Sequence, residues 1–560
     1  MVLGINAAYH DSCAALVGDG KVLVALEEER CTRVKHAKPA RVDNPDQLPW
    51  RAIQSCLEWV GANPADLQAV GYSLLPGVRR PSAEKGDEGG FGTPAGEAEF
   101  ERRLCGVRRA LAEREACLGE RLRYLPHHLC HAASAFYPSP FEEAAVLVVD
   151  GIGEDATAWL GRGRGCALEA LEEIHYPHSL GLLWERAAVY LGFTAYDAPK
   201  VMGLAAYGDP GPAWPAMTRL LQVADVPGCS PFRLDPELAG LRSGGVAGLE
   251  QLFGPRRRPD EPPEFPRFAA VAAALQRRTE EALLALCRRL ARLTGAINLT
   301  YAGGVALNCA ANARLEREGP FEAMYIPSAA HDAGTAVGAA LLLSPARGPV
   351  SPFAGPGWEG EEMLAALSAS DLPFREVADP AEAAAELLAA GKLVGWFQGR
   401  TELGPRALGH RSLLADPRNL ALRHELNRRV KHREPFRPFA AAVLEEAAED
   451  WFQLPNGRPG ASASRDLMLL AYPVESQARP LIPAVVHRDG TCRIQSVSRR
   501  DHPLFHRLIQ AFARRTSVPL VLNTSFNDSE PIVHTPEDAL STYRKSGLDA
   551  LVMGRYLLCS

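Results

Sequence analysis

The chain has 560 residues, 47% of them apolar, and a formal charge of −6 at pH 7. That length exceeds one domain and that apolar share supports large cores, so two or more domains are expected. Net negative charge argues against a general nucleic-acid binder. No apolar run approaches about 20 residues, which argues against a membrane span, and the N-terminus shows no leader pattern, so a cytoplasmic location is expected.

In chain order, residues 2–6, 12–17 and 21–25 read as strands, the last two joined by the Gly18-Asp19-Gly20 turn. Tyr9-His10-Asp11-Ser12 occupies the turn between the first two, a place where polar side chains face a cleft. His10 is a candidate general base there; the competing reading is a turn in which Asp11 and Ser12 bond backbone amides. Lys35, further on, reads by itself as solvated surface. Residues 76–96 lack periodicity and read as a loop or lid. A helix over 126–136 is followed by a buried strand ending at Asp150, and residues 267–293 carry apolar positions at helical spacing.

Residues 297–301 read as a strand, Gly303-Gly304 as a tight turn and Ala306 as the start of a helix, an arrangement that forms an anion cradle. A Pro-, Gly- and Ser-rich stretch over 341–361 is the clearest linker, which sets a domain boundary near residue 355. Beyond it, a helix over 381–390 and strands over 393–397 and 518–522 are expected, the last leading into Asn523-Thr524-Ser525. No internal repeat is visible. The twelve cysteines lack a C-x-x-C pair and read as reduced, buried thiols.

Two groups of residues carry chemistry. His127 and His131 lie at i and i+4 on one helical face, and Asp150 with Asp332 can complete a nitrogen and oxygen set that suits Fe(II) or Mn(II) better than thiolate-loving metals. Position 128 is His where a zinc protease needs a glutamate base, so that chemistry is excluded. Arg400, Arg406, Arg411, Lys431, Arg433 and Arg437 crowd into one short stretch of an acidic protein. Such a cluster calls for an anion, a phosphate-bearing ligand above all, or for dispersal over solvent.

These segments, in order over nearly the whole chain, resemble the O-carbamoyltransferase family of nodulation, cephamycin and tobramycin biosynthesis. The matching pieces include His10-Asp11-Ser12, His127-x-x-x-His131, Val149-Asp150-Gly151, Lys200-Val201-Met202-Gly203, Gly303 to Asn308, Gly404-Pro405-Arg406-Ala407-Leu408-Gly409, Arg437-Pro438-Phe439 and Asn523 to Asn527. One departure is Asn527-Asp528-Ser529-Glu530-Pro531, where many members carry a glycine before Glu-Pro. The resemblance implies an α/β protein: an actin- and sugar-kinase-like (ASKHA) carbamoyl-transfer domain with duplicated sheets over residues 1–355, and a YrdC-like adenylate-forming domain over 356–560. It implies that carbamoyl phosphate and ATP give a carbamoyl-adenylate, whose carbamoyl group passes to a hydroxyl of a small molecule, a natural product or saccharide.

By the same resemblance, His127, His131, Asp150 and Asp332 match ligands of a divalent metal, iron first, with Mg(II) accompanying ATP. His10 matches the residue beside the acceptor hydroxyl, and Lys35, Gly303, Gly304 and Asn308 match nucleotide contacts. Arg406, Lys431, Arg437, Arg493 and Ser525 match the carbamoyl-phosphate and adenylate pocket. A homodimer is expected from base rates. The alternatives are a sugar kinase of the same superfamily, which needs neither the histidine pair nor the arginine cluster, and a threonylcarbamoyl-type tRNA-modifying enzyme, which needs a basic face.

Overall fold

The computed structural model describes residues 1–79, 90–241, 245–345, 347–455 and 464–559, and divides the chain into two compact units. One holds residues 1–28 and 36–350; the other holds residues 29–35, 351–455 and 464–559. The excursion of 29–35 into the second unit is marked by no shift in composition. Both units are mixed α/β.

In the first unit, strands β1 (Val2–Asn6), β2 (Cys13–Gly18), β3 (Lys21–Glu27), β4 (Ala69–Tyr72) and β5 (Leu122–Tyr124) form one sheet in the order β3-β2-β1-β4-β5. Next come β6 (Glu143–Val149), β7 (Ala156–Arg164) and β8 (Ala167–His175), then a small ribbon of β9 (Leu221–Val223) and β10 (Phe232–Leu234). With β11 (Asn298–Ala302) and β12 (Ala323–Tyr325) a second sheet is completed in the order β12-β11-β6-β7-β8.

The two five-stranded sheets share one topology. β1 pairs antiparallel with β2 and parallel with β4, and β6 pairs antiparallel with β7 and parallel with β11. β1, β2 and β6 are buried almost throughout, which is why they read as continuous apolar runs rather than alternating ones.

Each sheet's last strand leads toward a helix, His127–Phe136 after β5 and Ala333–Leu343 after β12. Gly338 lets these two helices touch backbone to side: a Cβ there would lie 1.8 Å from the Cys130 carbonyl oxygen. The expected long helix spans Pro266–Thr294, starting with proline and ending at Gly295 in the left-handed region.

In the second unit nine strands form one sheet: β13 (Arg375–Glu376), β14 (Val394–Phe397), β15 (Arg411–Ala415), β16 (Ala440–Leu444), β17 (Leu470–Pro473), β18 (Thr491–Val497), β19 (Leu520–Ser525), β20 (Ala550–Met553) and β21 (Tyr556–Cys559). β14, β15, β19 and β16 lie adjacent at its centre. The helix expected over 381–390 is Pro380–Ala389, capped by the Asp379 side chain.

Two local expectations change. The supposed loop over 76–96 ends earlier, because Thr93 caps a helix beginning at Pro94; the lid assigned to its middle falls on residues 80–89, outside the described residues. The α-helix expected from Ala306 starts at Cys309, after a single turn over Gly304–Leu307.

Candidate functional site

The helix His127–Phe136 carries both histidines inward, β6 ends one residue before Asp150, and Asp332 precedes the helix Ala333–Leu343. The four side chains converge. Nε2 of His127 lies 3.5 Å from Asp150 Oδ2 and 3.6 Å from Asp332 Oδ1, and Nε2 of His131 lies 3.6 and 3.5 Å from the same atoms. All four residues are buried, the histidines completely.

Those spacings exceed a hydrogen bond, and neither Nε2 finds a hydrogen-bond partner among the described residues. Metal bonds of about 2.1 Å would set neighbouring donors roughly 3.0–3.4 Å apart, close to what is seen. The donor set therefore fits a divalent ion. Outer contacts orient it: His127 Nδ1–H donates to the Ser73 carbonyl at 2.9 Å, leaving Nε2 its lone pair, and Gly304 N–H donates to Asp150 Oδ1 at 2.8 Å. Glu154 accepts the backbone N–H of His127 at 3.0 Å, at the start of the helix.

Gly303 and Gly304 thus serve this centre. At Gly303, φ is 93° and a Cβ would lie 2.2 Å from the Val149 carbonyl oxygen, so only glycine fits. Asn308 caps the next helix through Ala311 N–H at 3.1 Å, and its amide exchanges bonds with Gln276 at 2.9 and 3.1 Å. The expected anion cradle at this helix start is occupied by the chain's own side chain.

His10 departs from expectation in its charge. Its Nδ1 lies 2.8 Å from Asp11 Oδ2, while His36 Nδ1 lies 2.7 Å from Asp11 Oδ1. Burial by itself would lower the His10 pKa, but Asp11 beside it more than compensates and holds the imidazole well above the usual histidine range. That direction favours the protonated imidazole over the general base expected from sequence. Asp11 reaches its own neighbour because its φ of 50° breaks the alternation of a strand.

Three further groups escaped the linear reading. His331 Nε2 lies 3.4 Å from Glu27 Oε1, and its pKa rises to about 9: burial opposes this, and Asp11 and Glu27 outweigh it. Glu185 sits beside Gly151, whose added Cβ would be 3.9 Å from Oε1, and burial pushes its carboxyl up to about 7. Each comes from a different element, so no spacing rule points to them.

In the second unit Lys431 Nζ is buried and donates to the Ser525 carbonyl, to the Asn527 carbonyl at 2.8 Å and to Asn527 Oδ1 at 2.6 Å. With Ser525 Oγ at 3.2 Å as a fourth acceptor, Lys431 braces the turn that carries Ser525. Burial first, then Arg433 and Arg437, hold its pKa well below the usual lysine range, with Lys35 adding to the repulsion. Lys35 thus belongs to this unit and this charge cluster, while Gly303 and Asn308 belong to the other.

Arg433 is held low by burial and by Arg437 and Arg493. Its Nε donates to Asn427 Oδ1 at 2.8 Å, and its guanidinium lies 4.3 Å above the Phe439 ring. Arg493, on β18, has a buried Nε without a hydrogen-bond partner among the described residues. Burial and neighbouring arginines together lower Lys431 and Arg433, the electrostatics of a place where an anion would be favoured. Arg406 lies in a loop of the same unit between Gly404 and Gly409, half-buried.

A two-unit α/β protein with a buried histidine and aspartate set in one unit and a cationic pocket in the other is the class these features define. Two matches then give the family: the "Carbamoyltransferase N-terminus" over residues 1–78 and 107–341, and the "Carbamoyltransferase C-terminus" over 385–559. The chain belongs to the carbamoyltransferase family and is a transferase. It is 37% identical to nodulation protein NolNO of Sinorhizobium fredii, over 99% of this chain and 79% of that one. It is likewise 37% identical to the uncharacterized protein sll1178 of Synechocystis, over 100% and 96%. Among solved structures, component A of (R)-2-hydroxyglutaryl-CoA dehydratase from Acidaminococcus fermentans covers 61% of this chain and 96% of its own at 13% identity, with a TM-score of 0.32. That score is too low to bear on function. Among the described residues no helix is long and apolar enough to cross a membrane.

Proposed function

We propose that this carbamoyltransferase is ATP-dependent and acts on a hydroxyl of a small molecule. The observation that carries the reading is the cluster of Lys431, Arg433, Arg437 and Arg493, in which burial foremost and then neighbouring arginines hold Lys431 and Arg433 well below their usual ranges. Activating a carbamoyl group on ATP brings two anions together, and guanidinium forks offset that repulsion while stabilising charge that grows in the transition state. In the proposed sequence carbamoyl phosphate and water give carbamate and phosphate. Carbamate oxygen then attacks the α-phosphorus of ATP, releasing pyrophosphate and leaving carbamoyl-adenylate. Transfer to an alcohol forms the new C–O bond and releases AMP.

The first unit supplies the transfer chemistry. A divalent ion held by His127, His131, Asp150 and Asp332 would act there as a Lewis acid toward a carbonyl oxygen. His10, whose protonated form is favoured by Asp11 at 2.8 Å, would donate a hydrogen bond to developing negative charge. Glu185, with its carboxyl near neutrality, is the group suited to accept the hydroxyl proton.

Incubation with ATP, carbamoyl phosphate and a panel of hydroxylated metabolites, read by mass spectrometry, tests the proposal. AMP, pyrophosphate and a carbamate ester are expected. ADP with a phosphate ester would replace this reading with a kinase, and a modified tRNA would replace it with the threonylcarbamoyl reaction.

A further inference from the structure

Between Glu402 and Arg411 the chain forms no regular element, and buried side chains satisfy its backbone. Glu402, 1% exposed, accepts through one oxygen from the N–H groups of Leu408 (2.9 Å), His410 (3.0 Å) and Arg411 (2.9 Å). Gln495 donates to the Leu408 carbonyl at 2.7 Å, and Arg30, on the excursion 29–35, donates to the Gly404 carbonyl at 2.7 Å. Gly404 and Gly409 bracket the loop with φ of 102° and 101°, a conformation that favours glycine.

Burying a carboxylate is costly unless its bonds are made. Here Oε1 gathers three amides, a charge-assisted clamp, while Oε2 is buried without a hydrogen-bond partner among the described residues. Apolar side chains would leave those three amides unpaired, and a neutral acceptor would serve them at lower desolvation cost than a buried carboxylate. Between Gly404 and the clamped amides the loop carries Arg406, a half-buried residue.

We propose that Glu402 is a positioning residue for Arg406, fixing the loop so that the guanidinium meets a phosphate-bearing substrate without reordering. The inference rests on the reading that the second unit forms the adenylate. Preorganisation of this kind stabilises a transition state because no geometry has to be found during reaction.

A double-variant cycle tests it, read as pyrophosphate release from ATP and carbamoyl phosphate by the full-length enzyme. Glu402→Gln keeps the volume and an acceptor but removes the charge, and is expected to lower kcat about tenfold or more, with a smaller change in KM for ATP. In an Arg406→Ala background the same change is expected to cost less than about twofold, because a residue acting through Arg406 has nothing left to position. Equal costs in both backgrounds would overturn the inference and leave Glu402 a purely structural group.

If the wild type releases no pyrophosphate, the adenylate reading fails by itself. The cycle is then read on calorimetric binding of carbamoyl phosphate alone, where the same non-additivity is expected. Additivity there, or no binding by the wild type, overturns the positioning role. Should Glu402→Gln fail to fold, Gln495→Met, which removes the bond to the Leu408 carbonyl, takes its place in the cycle under the same expectations.

Discussion

In the first unit His10 and His127 lie against Asp11, Asp150 and Asp332, and although burial opposes it both are held well above the usual histidine range. In the second unit His410 and His534 are pushed down to about 4 and about 3, by burial foremost, with arginine repulsion adding to it. His128, at about 3, shows that the first unit's rise is local: buried next to His127, it makes no ion pair with either aspartate. The contrast teaches what each site awaits. Paired acids and bases in the first unit can exchange protons for a cation, while in the second Lys431 and Arg433 are held low by burial and by neighbouring arginines.

Removing one ligand is the strongest way to break that contrast. His131→Ala leaves three donors of four and should lower metal affinity by about two orders of magnitude or more, measured by metal analysis of the purified protein. Transfer should be lost with it, while pyrophosphate release from ATP and carbamoyl phosphate continues. Full metal occupancy in the variant would remove His131 from the centre. Reconstitution with Fe(II) or Mn(II) should support transfer better than Zn(II).

The converse variant is Arg437→Ala, expected to weaken carbamoyl-phosphate-driven pyrophosphate release by about one to two orders of magnitude, since a charge-assisted contact contributes roughly 1.5–3 kcal/mol. Metal content should not change. Rescue of transfer by chemically supplied carbamoyl-adenylate would place the defect in the first step.

Acid should separate the units next. The folded-state pKa of His534 is about 3, against an ordinary 6.5, so the unfolded chain takes up a proton that the fold refuses. Its stabilisation is complete above pH 6.5 and is lost as pH falls toward 3, by up to roughly 4 kcal/mol for this group. The melting temperature should fall over that range, and His534→Asn should flatten the slope. An unchanged slope would mean that other groups dominate acid unfolding.

The smallest effect is expected from a neutral pair. Gln276→Ala removes both bonds to Asn308 and should cost about 1–2 kcal/mol in chemical denaturation, with metal content intact.

The four metal-site residues were legible because an i, i+4 pair and a strand-end aspartate are local patterns, and the arginine cluster was legible as density of charge. Strands β1 and β6 were legible as apolar runs, yet their sheets' shared topology leaves no repeat in the sequence: a buried strand constrains apolarity and not identity. His10 was found, but its charge was not, because the φ of Asp11 that turns the carboxylate back onto it is invisible in residue type. Lys431 was legible as part of the charge cluster, while its bonds to Ser525 and Asn527, far along the chain, were not. Glu27, Glu185 and His331 meet the site only through tertiary folding, and the passage of residues 29–35 into the second unit obeys no composition rule.

The contact at Gly338 sets how far apart the candidate donors of the first unit stand. The helix bearing His127 and His131 and the helix that follows Asp332 meet at this missing side chain. A single methyl there would wedge the two rods apart and stretch both histidine-to-Asp332 separations, while Asp150, which follows β6, stays with its strand. The gauge of the cage is therefore written some six residues from its nearest ligand, in a position that no inventory of coordinating atoms would include.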